Sequence, residues 1–294
     1  MPSALKIRLY ALKQFNCMLF WSIFIFTFFS GLTTFAQGNL LISPRRIVFE
    51  GNKRTQEINL ANTGKDTAKY LISIIEIRMK DDGGFEEIAT PDPGQFFASK
   101  FLRFFPRSVT LAPNESQVVK VQLIKTNELV EAEYRSHIYF RAIPNLKPLG
   151  EKETKKDTTN ISVQLTPVFG ISIPVIIRNG KSDTHVKISG LSYKMNAENK
   201  PNIEMSIDRE GNTSVYGDIT VNFIDKSGKT TEVGAAKGVA VYTPNKFRKF
   251  QFDLSNEAHV NMSKGKLQII FAPQSEDKTN AKIEPFAQSE VTIQ

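Results

Sequence analysis

The chain is short of the residues that do most chemistry. Its single cysteine, Cys17, and its single tryptophan, Trp21, both fall within the first 36 residues, so nothing beyond them can form a disulfide or present an indole. Cysteine nucleophiles and cysteine-ligated metals are thereby excluded from the rest, and a sugar-stacking tryptophan platform with them. Three histidines, His137, His185 and His259, stand far apart in sequence and outside any paired-histidine metal spacing. Phosphate loops and nucleophile elbows are also missing. These absences point away from an enzyme and imply neither a metal nor a cofactor. A secreted β-protein without disulfides relies on core burial alone, which is expected of a bacterial envelope rather than a eukaryotic secretory route.

Long apolar runs are also scarce. The main one is residues 18–29, preceded by Lys6, Arg8 and Lys13 and followed by Gly31 and Thr34-Phe35-Ala36. A basic start, an apolar centre and a small-residue end make up a secretory signal peptide, with cleavage expected after Ala36. The run is shorter than the roughly 20 residues a membrane-spanning helix needs, so stable membrane insertion after cleavage is not expected. Without the leader, 35 basic residues face 30 acidic ones, a formal charge of +5 against +8 for the whole chain. The most lysine-rich segment, residues 147–156, interleaves Glu with Lys and holds no aromatic. It reads as a solvated loop, and no nucleic-acid partner is expected.

What is abundant is short alternation. Apolar residues recur with period two over residues 40–44, 46–50, 56–62, 70–79, 104–111, 118–123 and 137–144, followed by a long run over 161–178. Gly51-Asn52, Thr63-Gly64 and Asp81-Asp82-Gly83-Gly84 punctuate them with turn chemistry. That pattern predicts an all-β sandwich of two antiparallel sheets. Asn179-Gly180-Lys181-Ser182-Asp183 reads as a linker. Further strands are expected at 186–191, 202–208, 217–224, 238–242, 250–254, 266–271 and 289–293, with a hairpin turn at residues 225–229. The expected organisation is a signal peptide over 1–36, one immunoglobulin-like domain over 37–179 and a second over 180–294.

The run from 160 to 175 stands out. It is about twice the usual strand length, and Ile161, Val163 and Leu165 share one face. A long apolar edge is normally an aggregation hazard, and proteins that keep one can use it to add a strand to a partner. By themselves the residues fit, more simply, the last core strand of the first sandwich.

Four segments in register carry a resemblance. Ser43-Pro44-Arg45-Arg46-Ile47-Val48-Phe49 and Ile58-Asn59-Leu60-Ala61-Asn62-Thr63-Gly64 resemble the opening strands of periplasmic pilus-assembly chaperones of the chaperone–usher type. Residues 106–116 (PRSVTLAPNES) are similar to their segment before an x-L-x-P-G-x-x-Q turn. Residues 134–144 (YRSHIYFRAIP) are similar to their R-E-S-x-F-x-x-x-x-x-I-P strand. The resemblance covers residues 40–178 and makes the chain a divergent member. It implies two immunoglobulin-like domains in a boomerang and a periplasmic location. It also implies pilin-like subunits as partners, capped by a donated strand before they polymerise at an outer-membrane usher. Ile161, Val163 and Leu165 then hold the donated side chains. Arg46 matches an arginine that, with a lysine, anchors the client's terminal carboxylate, a task suited to a bidentate guanidinium. Two departures stand against this. No basic residue occurs from Ile161 to Ile177 where the lysine belongs, and Arg135 replaces the glutamate of R-E-S. A surface adhesion or structural β-sandwich without chaperone activity is the competing reading.

Overall fold

In a computed structural model of the chain, the described residues are 40–144, 167–255, 260, 262, 264–274 and 284–293. The segment expected to be a signal peptide, the lysine-rich residues 147–156, His259 and the proposed donor residues Ile161, Val163 and Leu165 lie outside them. Residues from Leu40 to Gln294 group as one compact unit.

Alternation and turn residues translate directly into strands. They are β1 (Leu40–Ser43), β2 (Ile47–Phe49), β3 (Thr55–Asn62), β4 (Ala68–Ile75), β5 (Ile77–Met79) and β6 (Phe85–Glu87), then β7 (Leu102–Phe105), β8 (Ser108–Leu111), β9 (Ser116–Leu123), β10 (Ala132–Ile143) and β11 (Gly170–Asn179). They form sheets ordered β1-β3-β9-β7 and β2-β11-β10-β4-β8, with β5-β6 as a separate hairpin. The first edge strand is divided between the two sheets, as β1 and β2, and the layers pair like those of an immunoglobulin sandwich. Ile58, Leu60, Leu111, Val119, Val121, Ile138 and Phe140 fill the space between.

The second sandwich holds β12 (Thr184–Met195), β13 (Pro201–Gly211), β14 (Val215–Ile224), β15 (Thr230–Val241), β16 (Phe247–Asp253), β17 (Gly265–Pro273) and β18 (Ala287–Ile293). Its sheets are β12-β13-β16 and β15-β14-β17-β18, around Ile207, Ile219, Val221, Leu267, Ile269 and Phe271. Asp225 turns β14 into β15 by accepting the backbone N–H groups of Ser227 and Lys229. The fold is all-β, two immunoglobulin-like sandwiches.

Two stretches expected to be single strands are broken. Residues 70–79 divide at Glu76 into β4 and β5, because Glu76 is held by the hydroxyl of Ser136 at 2.9 Å while β5 leaves to pair with β6. Residues 104–111 divide at Pro106, where the chain passes from the sheet of β7 to that of β8.

Candidate functional site

The run ending in β11 has two kinds of neighbour. Along one side it pairs with β10 over its whole length, from Ala132↔Asn179 to Arg141↔Gly170. On the other side β2 runs parallel to it, but only against Val175, Ile176 and Ile177. Among the described residues nothing pairs with residues 170–174 on that side. The N–H of Ala142 donates to the carbonyl of Phe169 at 2.9 Å, which sets the phase of the ladder. Odd residues turn their backbone groups toward β10; Gly170, Ser172 and Pro174 turn theirs to the open edge. Pro174, with no N–H to donate, is tolerated there for that reason.

Side chains divide at the same place. Ile173, Val175 and Ile177 are core residues, so this part of the run is the last core strand of the first sandwich. Upstream, Phe169 and Ile171 keep the same parity but are 50% and 38% exposed. The odd-numbered apolar series of Ile161, Val163 and Leu165 thus continues, in sequence, into apolar side chains that the core does not cover.

Arg46 lies immediately before β2, level with the end of the open edge. Its guanidinium carbon is 4.6 Å from the Tyr216 ring centroid and 5.8 Å from that of Tyr242. Nη1 is buried with no hydrogen-bond partner. Burial lowers its affinity for the proton, an effect that Tyr242 opposes and Arg178 reinforces.

The surroundings of Arg46 belong to a layer that the sequence does not announce. In β10 the core face carries Tyr134, Ile138 and Phe140, while the opposite face carries Glu133, Arg135 and His137, which are buried as well. The second sandwich covers them. The Glu133 carboxylate accepts from Arg178 Nε at 2.9 Å, Ser214 N–H at 2.9 Å, the Ser214 hydroxyl, and the Thr243 hydroxyl at 3.1 Å. Arg178 also reaches Glu50 at 2.5 Å and the carbonyl of Ser214 at 2.9 Å. Arg135 replaces the expected glutamate, yet a carboxylate is present two residues earlier on the same face and ties the sandwiches together.

Apolar contact accompanies this. Met79, Ile176, Ala240 and Tyr242 form a small buried cluster between the sandwiches, with Val48 and Tyr216 against it. The β5–β6 hairpin hooks onto the other sandwich. Asn245 donates to the carbonyl of Met79 at 3.0 Å, and the Lys249 N–H donates to that of Asp81 at 2.7 Å. Its tip is glycine because Gly83 has φ +84° and a Cβ there would lie 2.3 Å from Arg248 Nε.

Arg135 is 2% exposed, none of its three guanidinium nitrogens has a hydrogen-bond partner, and its charge rests 4.5 Å from the Tyr242 ring. His137 is equally buried, its Nδ1 unpartnered, and burial together with Arg135 pulls its pKa down to about 3. Beside them is a cavity of about 200 Å³, walled by Phe85, His137, Ser172, Pro174, Tyr242 and Arg248 among others. Ser172 and Pro174 bring the open edge of β11 into its wall.

No family model matches the chain, and no curated protein matches it in sequence. Among solved structures it is similar to the YadV chaperone, with 10% identity over 87% of this chain and 100% of the other, at a TM-score of 0.41. A chain of the CsuC–CsuE chaperone–tip adhesion subunit complex of Acinetobacter baumannii matches at 12% identity over 72% of this chain and 89% of that one, TM-score 0.37. The Pseudomonas aeruginosa CupB2 chaperone matches at 11% identity over 86% and 99%, TM-score 0.35.

Proposed function

We propose that this protein is a periplasmic chaperone that caps pilin-like subunits by lending them the strand containing Ile161, Val163 and Leu165, before assembly at an outer-membrane usher. One observation carries the reading. Among the described residues β11 has an unpaired edge over residues 170–174, led by exposed Phe169 and Ile171 in the same parity as the three donor residues. An added strand gains main-chain hydrogen bonds along such an edge, and alternate apolar side chains fill its core. The four sequence segments in register and the signal-peptide pattern support the same reading. Arg46 is the proposed anchor for the client's terminal carboxylate. A strand laid on the open edge in line with β2 ends against this residue, and its partly unpartnered guanidinium suits a carboxylate.

The test is co-purification from the periplasm of a fimbriated host. Val163→Asp with Leu165→Asp is expected to abolish recovery of a pilin-like protein at about one to one, while the circular dichroism spectrum is unchanged. A double variant that still captures the subunit refutes strand donation. A double variant that fails to fold makes those residues core and favours a structural or adhesive sandwich.

A further inference from the structure

The second sandwich carries a cavity at its far end that strand capture does not use. β14 begins just after Ser214, which donates to Glu133 in the layer between the sandwiches, and it finishes at Ile224, which lines this cavity. At about 3.3 Å per residue, a ten-residue strand puts the cavity roughly 30 Å from that layer. Its volume is about 710 Å³, within the roughly 300–1,000 Å³ of pockets that hold small molecules.

Three strand ends and one turn build it. Ile224 pairs with Lys266 and Lys266 with Thr292, a single row across β14, β17 and β18. Phe223 and Leu267, one position away, are core residues, so Ile224, Lys266 and Thr292 share the outer face. The β14–β15 turn adds Asp225, Lys226 and Gly228 to the lining. That turn is fixed from within. The Asp225 side chain accepts from the Ser227 N–H at 2.8 Å, the Ser227 hydroxyl at 2.6 Å and the Lys229 N–H at 3.0 Å. Its carbonyl accepts from the Gly228 N–H at 3.0 Å. This part of the lining is therefore in place before any ligand arrives, which lowers the ordering cost of binding.

Charge decides what the cavity takes. Its lining residues are three cations, Lys226, Lys264 and Lys266, and two carboxylates, Asp225 and Glu290, a net charge of +1. Glu290 lies 3.6 Å from Lys266. Asp225 is committed to its own turn, and the hydrogen bonds from Ser227 and Lys229 hold its carboxyl below the usual range. Lys226 and Lys264 make no ion pair among the described residues. A singly charged anion brings the lining to neutrality, and a cation adds to its excess. No aromatic residue lines the cavity, so a base or sugar ring finds nothing to stack on. Ile224, the Thr292 methyl and the lysine stems offer aliphatic surface instead.

We propose that this cavity binds a singly charged amphipathic anion, its carboxylate or phosphate-diester head held by Lys226 and Lys264 and its aliphatic body against Ile224 and Thr292. The same chemistry occurs in a free acid and in the headgroup of an anionic lipid. The site is independent of the open edge of β11 and of the chaperone reading, and it gives the second sandwich a ligand of its own.

The experiment uses the full chain as exported, labelled for amide NMR, with octanoate, 1-octanol and octylammonium as probes. Octanoate is expected to shift the amides of Lys226, Gly228, Gly265 and Thr292 with dose, and the alcohol and the ammonium to leave them in place. Lys226 and Lys264 are exposed, so Lys226→Gln with Lys264→Gln keeps the fold while weakening octanoate binding by about five- to thirtyfold. Raising the salt weakens it as well. Co-sedimentation with phosphatidylglycerol vesicles, and with phosphatidylcholine vesicles as control, separates the two sources. Octanoate binding without sedimentation assigns a free acid; sedimentation with phosphatidylglycerol alone, lost in the double variant, assigns a lipid headgroup. Equal shifts from octanoate and octanol overturn the proposal, because the head is then not read. Octanoate or vesicle binding that survives in the double variant overturns it too, as does the absence of both.

Discussion

Replacing Glu133 with alanine removes the one fully buried carboxylate that, among the described residues, joins the two sandwiches. Its side chain has no solvent exposure and accepts from Arg178, from the N–H and hydroxyl of Ser214, and from the Thr243 hydroxyl. Removing one partner of a buried ion pair costs about 3–5 kcal/mol, because the other charge and its companions are left without water. Arg178 softens the loss, since it keeps Glu50 and the Ser214 carbonyl and is 23% exposed. The Ser214 N–H and the two hydroxyls have no such alternative. An overall loss of about 3–4 kcal/mol is therefore expected. At about 2–4 °C per kcal/mol for a chain of this size, the melting temperature falls by roughly 6–16 °C. The measurement is thermal unfolding by circular dichroism at neutral pH, with Glu57→Ala as the control. That residue faces Lys120 at 4.0 Å on an exposed sheet face, a pair worth less than about 1 kcal/mol. A fall below about 2 °C for Glu133→Ala would refute the claim that this carboxylate holds the layer together. Glu133→Ala with Arg178→Gln closes a double-mutant cycle, and a coupling below about 0.5 kcal/mol would mean that the pair does not act as one.

Three further outcomes are expected. Amide exchange by NMR divides β11 by parity: Gly170 and Ser172 exchange fast while Ile171 and Ile173 are protected, and uniform protection would mean that the edge is covered. Phe169→Ser and Ile171→Ser change stability by less than about 1 kcal/mol, because neither side chain is in the core, yet both weaken client capture; a large stability loss would place them in packing. His137 stays neutral in the fold down to about pH 3, against an ordinary value of 6.5, so the unfolded chain takes up the proton first as pH falls. The sign follows: stability is full above about pH 6.5 and falls by about 1.4 kcal/mol per pH unit between there and about pH 3. His137→Asn flattens that slope, and an unchanged slope in urea titrations would exclude His137 as its source.

The all-β architecture was legible because its signals are local. Period-two alternation and Gly, Asn and Asp turns act over a few residues, as in the Asp225 turn between β14 and β15. Arg46 was singled out through its neighbours in the strand it precedes, and the structure places it level with the end of the open edge of β11. The inter-sandwich layer was not. Glu133, Arg135 and His137 alternate with apolar residues and look like a solvated face, and the groups that cover them come from distant sequence, Ser214, Tyr242 and Thr243. Residues 70–79 read as one strand because nothing local marks Glu76, whose partner Ser136 belongs to β10. Segment 242–249 carries no sign of its role either, since the contacts that tie it across the layer, Glu133, Met79 and Asp81, are in the other sandwich.

The absence of an N–H at Pro174 gives the open edge a ruler. A strand laid along β11 finds amide donors at Gly170 and Ser172 and none at the next outward position, where β2 then takes over at Val175. The ladder therefore loses a donor at its downstream end, one residue before β2 occupies the edge.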